Sequence, residues 1–387
     1  MTKNEILMLD LLKSALWNKR ADLSLFNSKD IDWHGILDIA DVQGVISLVA
    51  SAIRQLEDHG VKEDCLPNDI INKCVTLQFA VIQQTGSVIP IIESVVTKIR
   101  TVGVEPVLLK GHGVAKYYLK PEFRYCGDID LYIGKDFVDK VVDCLKVFPE
   151  FKDDSHGHEK HYNLMWNNVE VELHRSAIDL IDTRQNKLLY EWTEEELHSN
   201  RNRQIPVGNT TVTVPSELFD AIFVFQHLWW HIVNEGIGIR QFCDWTMCLY
   251  RVGDKLDEKQ LKDLLKKFGL LSVWQIFGHV AVEQLGLPKE KFPLYSKRNQ
   301  YLGRKITELA MQYGNFGHKH YKYMVSDSVE KGVLKHKMMV TTYYGKLQFW
   351  CFLVSPVATF PVIKKYWKDT CIRYWKKTAQ MKTSVET

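Results

Sequence analysis

Residues 127–133 read Gly127-Asp128-Ile129-Asp130-Leu131-Tyr132-Ile133, and no other run limits the possible folds of this chain as strongly. A β-strand sends alternate side chains to the same face. Asp128 and Asp130 therefore project together, while Ile129, Leu131 and Ile133 form an apolar back that must lie on a core. Neighbouring carboxylates repel each other, and withdrawing them from water is expensive without a compensating cation. A hard cation suits such a pair, usually Mg²⁺ shared between one or two carboxylates and substrate phosphates. The run predicts a strand that carries a metal-dependent phosphate-chemistry site.

Around this strand the chain changes character twice. Apolar residues at three- and four-residue spacing predict helices over 4–19, about 40–57 and 68–101, with start signals at Ser28 and Asp30 before the second. Residues 1–101 thus read as an N-terminal helical region. Residues 102–215 read as an α/β core. In it, PVLLK (106–110) is a short buried strand, and Gly111-His112-Gly113 turns into a helix at VAKYYL. An acid-opened amphipathic helix spans 136–148. Residues 161–166 and 169–174 predict two strands joined by Asn167-Asn168, a dipeptide that tolerates the positive φ of a hairpin turn. A second hairpin is predicted in RQIPVGNTTVTVP (203–215). From 216 to 387 the pattern is helical again, at about 216–234, 238–250, 257–267, 269–285 and 297–313. The expected class is α+β, a mixed sheet with flanking helices set between two helical regions.

Two further segments converge on the aspartates. The strand VEVELH (169–174) sets Glu170, Glu172 and His174 on one face and offers a third carboxylate, which either glutamate satisfies. The turn after Lys110 exposes backbone N–H groups and the start of a helix to an anion, and Lys110 adds a mobile positive charge. Arg124, four residues before Asp128, suits either a triphosphate contact or a loop salt bridge.

The order LLKG, then R..GDIDL, then VELH resembles the nucleotidyltransferase fold shared with DNA polymerase β. It is more closely similar to an uncharacterised bacterial nucleotidyltransferase family with an LKG turn, an R..DiDllv strand and a [DE]LH strand. The matching residues are Lys110, Gly111, Arg124, Asp128, Asp130, Glu172 and His174, and the likeness continues through HLWWHI and GIRQFCDW, over about residues 30–290. The resemblance implies Mg²⁺, with Mn²⁺ as a substitute, held by Asp128, Asp130 and Glu172. It also implies transfer of a nucleoside monophosphate from an NTP to an acceptor hydroxyl, by two-metal catalysis. Most enzymes of that superfamily carry Gly-Ser at the turn. Here His112 takes the place of the serine, which shifts phosphate handling to Lys110, His112 and backbone N–H groups and leaves room for a weakly active or inactive nucleotide-binding module. A nucleotide-sugar glycosyltransferase also uses a DxD pair, but it requires a long doubly wound domain ahead of the motif.

The remaining motifs have structural readings. His227 and His231 lie one helical turn apart, a zinc-compatible spacing without a third ligand, and packing among Phe225, Trp229 and Trp230 is the simpler expectation. Arg240 and Asp244 share a helix face and are spaced for an ion pair, while the resemblance makes Arg240 a nucleotide contact. The apolar segment 347–363 is short and interrupted by Pro356 and Pro361, so a buried or interfacial role is expected there, not a membrane span. The basic aromatic run 360–377 is expected to pack as a helix, with contact to a membrane surface or anionic acceptor as its sharper alternative. Net charge is only +3, which does not argue for a nucleic-acid coat. Eight scattered cysteines without a CxxC pair, and an N-terminus unlike a signal peptide, fit a cytoplasmic protein. The acceptor, whether small molecule, protein or RNA, has no motif that selects it.

Overall fold

The computed structural model describes residues 1–155, 160–180, 183–234, 236–298, 300–314, 345 and 348–364. The chain opens with α1 (Lys3–Trp17), whose start is fixed by a capping box: the Thr2 hydroxyl accepts from the Glu5 amide and the Glu5 carboxylate accepts from the Thr2 amide. Two helices, α2 (Trp33–Val42) and α3 (Ile46–Asp58), replace the single helix expected at about 40–57. Gly44 at φ 69° breaks the run between them, and the N-cap of α2 is Asp32, downstream of the expected Ser28 and Asp30. Next comes the 33-residue α4 (Asn68–Arg100). Among the described residues it is the one helix long and apolar enough to cross a membrane, but Val88, Ile92, Val95, Val96 and Ile99 on its second half are buried in the core beneath the sheet.

The α/β section follows in order as β1 (Val107–Leu108), α5 (His112–Ala115), β2 (Asp128–Tyr132), α6 (Val138–Leu145), β3 (Phe151–Asp153), β4 (His161–Trp166), β5 (Val169–His174), α7 (Arg184–Leu197), β6 (Arg203–Val207) and β7 (Thr210–Val214). The seven strands form one mixed sheet in the order β3-β4-β5-β2-β1-β7-β6. β2 sits at its middle, parallel to β5 and antiparallel to β1. Both expected hairpins are present, and Asn167 and Asn168 adopt φ 49° and 65° at the turn of the first. The sequence pattern missed β3, which is only three residues long, and α7, whose composition is mostly polar.

The two faces of the sheet differ sharply. Ile129, Leu131 and Ile133 join Leu164, Trp166, Val171 and Leu173 in a core closed by α4 and α6. Each such side chain contributes roughly 1.5–3 kcal/mol through its burial. The opposite face carries Asp128, Asp130, Glu170, Glu172 and His174, because the side chains of both strands alternate in matched register.

The helices α8 (Glu217–Asn234), α9 (Ile239–Val252), α10 (Glu258–Lys267), α11 (Leu271–His279) and α12 (Gln300–Tyr313) follow the sheet. They share a single apolar core with α1 to α3. Polar bonds also tie the two ends of the chain together. The Trp17 indole donates to the Leu285 carbonyl, and the Gln43 side chain donates to Ala310 and Met311 and accepts from the Ile239 amide. Residues 348–354 and 356–364 are helical, with Cys351, Val354 and Val362 buried and Phe349, Phe352, Leu353, Val357 and Phe360 exposed. Most of the basic aromatic run at 360–377 lies outside the described residues.

Candidate active site

The carboxylates meet because β2 and β5 are parallel neighbours in register: Asp128 lies opposite Glu170, Asp130 opposite Glu172 and Tyr132 opposite His174. Each glutamate thus lies opposite an aspartate, and their side-chain contacts separate them. The Glu170 carboxylate accepts from the Asn163 side-chain amide at 2.9 Å, whereas Glu172 turns toward His174, with 3.1 Å between Oε2 and Nε2. His174 also reaches Asp130, its Nε2 lying 2.9 Å from Oδ1. Lys110 approaches the same Asp130 oxygen at 2.8 Å. Its backbone is positioned by the strand before it, since the Leu109 amide donates to the Asp130 carbonyl at 3.0 Å.

Charge is unevenly balanced across this group. Asp130 is almost fully buried, and against the cost of that burial the Lys110 ammonium and the His174 hydrogen bond hold its carboxyl well below the usual range. Glu172 is likewise lowered, its desolvation outweighed by the His174 contact. Asp128, exposed at the start of the strand, is raised, first by the charge of Asp130 and then by loss of water. The cluster therefore holds one carboxylate that its surroundings do not neutralise.

The turn after Lys110 is tighter than the sequence pattern suggested. Gly111 adopts φ 51° and leads into a helix of four residues, too short to build a substantial dipole. His112 does not face the carboxylates. It is buried, and its Nε2 lies 3.0 Å from the Thr85 carbonyl on α4. Burial lowers the His112 pKa to about 4. The folded value lies below the ordinary 6.5, so this stabilisation is complete above pH 6.5 and is lost as the pH falls toward 4. Urea titrations across that window should show up to roughly 3 kcal/mol of acid destabilisation. His112→Gln, which can still donate to Thr85, should flatten that dependence, and an unchanged pH slope in the variant would exclude His112 as its source.

Arg124 is also turned away from the carboxylates. It is buried in a two-pronged pair with Asp244, Nε to Oδ1 at 3.1 Å and Nη2 to Oδ2 at 2.8 Å, and its Nη1 donates to the Tyr125 carbonyl. Tyr118 donates to the same Asp244 at 2.7 Å. No Arg240–Asp244 salt bridge forms among the described residues, where Asp244 instead pairs with Arg124 and Tyr118. Arg240, at the start of α9, keeps a buried Nε with no hydrogen-bond partner among the described residues. Burial and then the Arg124 charge lower its pKa, while Asp244 and Asp128 act in the opposite direction. It is a cation close enough to sense Asp128 and only partly compensated.

Two site neighbours, His161 and Lys160, went unnoticed in the sequence, and a third, His227, was read there as a packing residue. His161 lies opposite His174 across the β4–β5 pair, with its Nε2 3.9 Å from Glu172 Oε1. A two-residue turn at Asn167-Asn168 fixes that register, so the pairing was computable from the hairpin itself. Lys160 and His227 carry no comparable local signal. Burial lowers both, and each also feels the Lys110 charge and the carboxylates. His227 and His231 touch each other, with 3.0 Å between their Nε2 atoms.

The middle of the mixed sheet thus carries carboxylates on two neighbouring strands, with Lys110 and His174 in contact with them. A family model described as "Uncharacterised nucleotidyltransferase" matches residues 29–286, more than half of the chain, and the protein belongs to that family. Neither the curated proteins nor the solved structures include a match.

Proposed function

We propose that the chain is a Mg²⁺-dependent nucleotidyltransferase that moves a nucleoside monophosphate from an NTP to a hydroxyl of an acceptor. The observation that carries this reading is the register that brings Glu172 beside Asp130, on the face shared with Asp128. Family membership supports the general transferase reaction. The oxygen donor set fits a hard cation, and the raised carboxyl of Asp128 reports uncompensated negative charge there. Asp128, Asp130 and Glu172 would hold Mg²⁺, or Mn²⁺ in its place, and the ion supplies charge neutralisation on the triphosphate and acidifies the acceptor hydroxyl.

The protein's own groups have separable tasks. Lys110, held at Asp130, is a point charge for phosphate oxygens. Arg240 offers a planar fork near Asp128 and takes the contact that the sequence pattern assigned to Arg124. His174 orients both Asp130 and Glu172. Glu172, with its lowered pKa, is suited to holding a cation and is a poor general base near neutrality.

Two observations favour a second reading, a nucleotide-binding module with slow or no transfer. His112 stands where a phosphate-binding serine is expected and turns toward Thr85, and Asp130 is already engaged by Lys110 and His174. A glycosyltransferase reading lacks its doubly wound domain, since β1 alone precedes the DxD strand within the sheet.

Incubation with α-labelled NTPs, Mg²⁺ and an acceptor library tests the proposal. Label is expected on an acceptor, with pyrophosphate released. Tight nucleotide binding without label transfer would favour the second reading, and absence of both would sink the nucleotide proposal. Arg240→Gln is expected to weaken NTP binding by roughly 10-fold or more while the fold is kept, the scale of one lost charge-assisted contact of 1.5–3 kcal/mol. Calorimetric titration of NTP measures it.

A further inference from the structure

The geometry points to a second kind of metal site in this protein: His161, Glu172 and His174 bind a divalent transition ion of the Zn²⁺ or Co²⁺ type. Among the described residues, the ligand atoms of these three side chains all lie within 4.8 Å of one another. Ligand atoms that share one ion at about 2.0–2.2 Å sit roughly 3–3.5 Å apart. His174 Nε2 lies 3.1 Å from Glu172 Oε2, within that spacing, and His161 Nε2 lies 3.9 Å from Oε1, beyond it. Ligation would draw His161 closer to the carboxylate.

The chemistry of the donors separates this site from the oxygen-only one. Mg²⁺ is a poor match for imidazole, whereas Zn²⁺, Co²⁺ and Mn²⁺ accept mixed nitrogen and oxygen ligands. The backbone supports the arrangement independently of any ion. The two histidines are directly paired across β4 and β5, with ring centroids 5.2 Å apart. Asn163 holds Glu170 aside, so the carboxylate that faces both rings is Glu172. His174 is almost fully buried, and its Nδ1 has no hydrogen-bond partner among the described residues. A metal-bound histidine usually donates its other N–H to an acceptor, and losing such a partner costs about 10–100-fold in affinity. The bound ion is therefore exchangeable, as befits a working ion and not a structural one.

The existence of this site does not depend on nucleotidyl transfer, but its place in catalysis rests on that reading. Through the shared Glu172 it would seat one of the two ions of such a reaction, the ion taking the place of the His174 Nε2 contacts to Asp130 and Glu172 and giving the protein a mixed Mg²⁺ and transition-metal requirement.

Titration of the chelator-stripped full-length protein with Co²⁺, followed by visible absorption, tests the site directly. The expected result is a ligand-field spectrum that saturates with Co²⁺, is displaced by Zn²⁺ and survives excess Mg²⁺. His161→Ala, a change at a half-buried position, should weaken Co²⁺ binding at least 10-fold with an unchanged circular dichroism spectrum. His174→Gln gives the parallel result if it folds. Displacement by Mg²⁺, or an unchanged spectrum in His161→Ala, would overturn the assignment. So would loss of the signal in a His156→Ala/His158→Ala variant with His161 intact, because those histidines are close in sequence. Label transfer is scored separately. Failed transfer with intact Co²⁺ binding counts against the nucleotidyltransferase reading alone, and the reverse counts against the metal site alone.

Discussion

Arg124→Ala is expected to destabilise the protein by about 3–5 kcal/mol, the cost of leaving one half of a buried ion pair behind. Both partners are almost fully buried, and the contact is two-pronged. Burial works against each charge, but the pair keeps Arg124 raised and Asp244 lowered, so the fold holds both ionised. Without the guanidinium, Asp244 retains the Tyr118 hydroxyl as its hydrogen-bond donor among the described residues, with the Arg240 charge acting on it in addition. Arg124→Met combined with Asp244→Leu should recover a large part of the loss, because apolar replacement of a buried pair is often neutral or stabilising. Tyr118 would still lack its acceptor, which costs roughly 1–3 kcal/mol and limits the recovery. Urea denaturation of the two single variants and the double variant measures the coupling. If Arg124→Ala instead weakens NTP binding at unchanged stability, Arg124 is a phosphate ligand and the pair is incidental.

Asp128 and Asp130 should respond differently to the same change. Asp128→Asn is expected to reduce nucleotidyl transfer by on the order of 10³-fold or more, the scale for removing a group that stabilises charge at the reacting centre. Its folding stability should not fall, because no ion pair depends on Asp128 among the described residues and the neutral amide relieves its repulsion with Asp130. Asp130→Asn should lose transfer to a similar extent and also lose stability. The Lys110 ammonium, already opposed by burial, would lose its nearest carboxylate. Lys110 keeps some solvent exposure, so the cost should fall near the lower end of the 3–5 kcal/mol scale for a broken buried pair. Paired measurements of transfer rate and urea stability separate the two roles. Equal stability loss in both variants would mean that Asp128 too is structural.

The strands and their faces were legible because they depend on neighbours in the chain. Alternation along residues 128–133 and 169–174 places the carboxylates, and Asn167-Asn168 sets the hairpin and with it the His161–His174 pairing. These are short-range constraints of backbone geometry. The different side-chain contacts of Glu170, with Asn163, and of Glu172, with His174, came only from the packed sheet. Gly44, by contrast, was a local break, and the run of apolar residues on both sides of it obscured the division into α2 and α3.

The sequence alone determined that two aspartates share the front of a core-backed strand, and that a third carboxylate follows on another. Tertiary structure decided how the charged residues are used. Arg124 turns to Asp244, 120 positions away, because a buried guanidinium is stable only beside a buried carboxylate. His112 turns to Thr85, since a buried imidazole must find an acceptor for its N–H. Lys110 stays with Asp130, and Arg240 keeps an Nε without a hydrogen-bond partner among the described residues, its charge offset in part by Asp244 and Asp128. Side-chain alternation follows from each strand's own backbone, but the partner of a buried charge is set by the packing of distant segments, which no local pattern encodes.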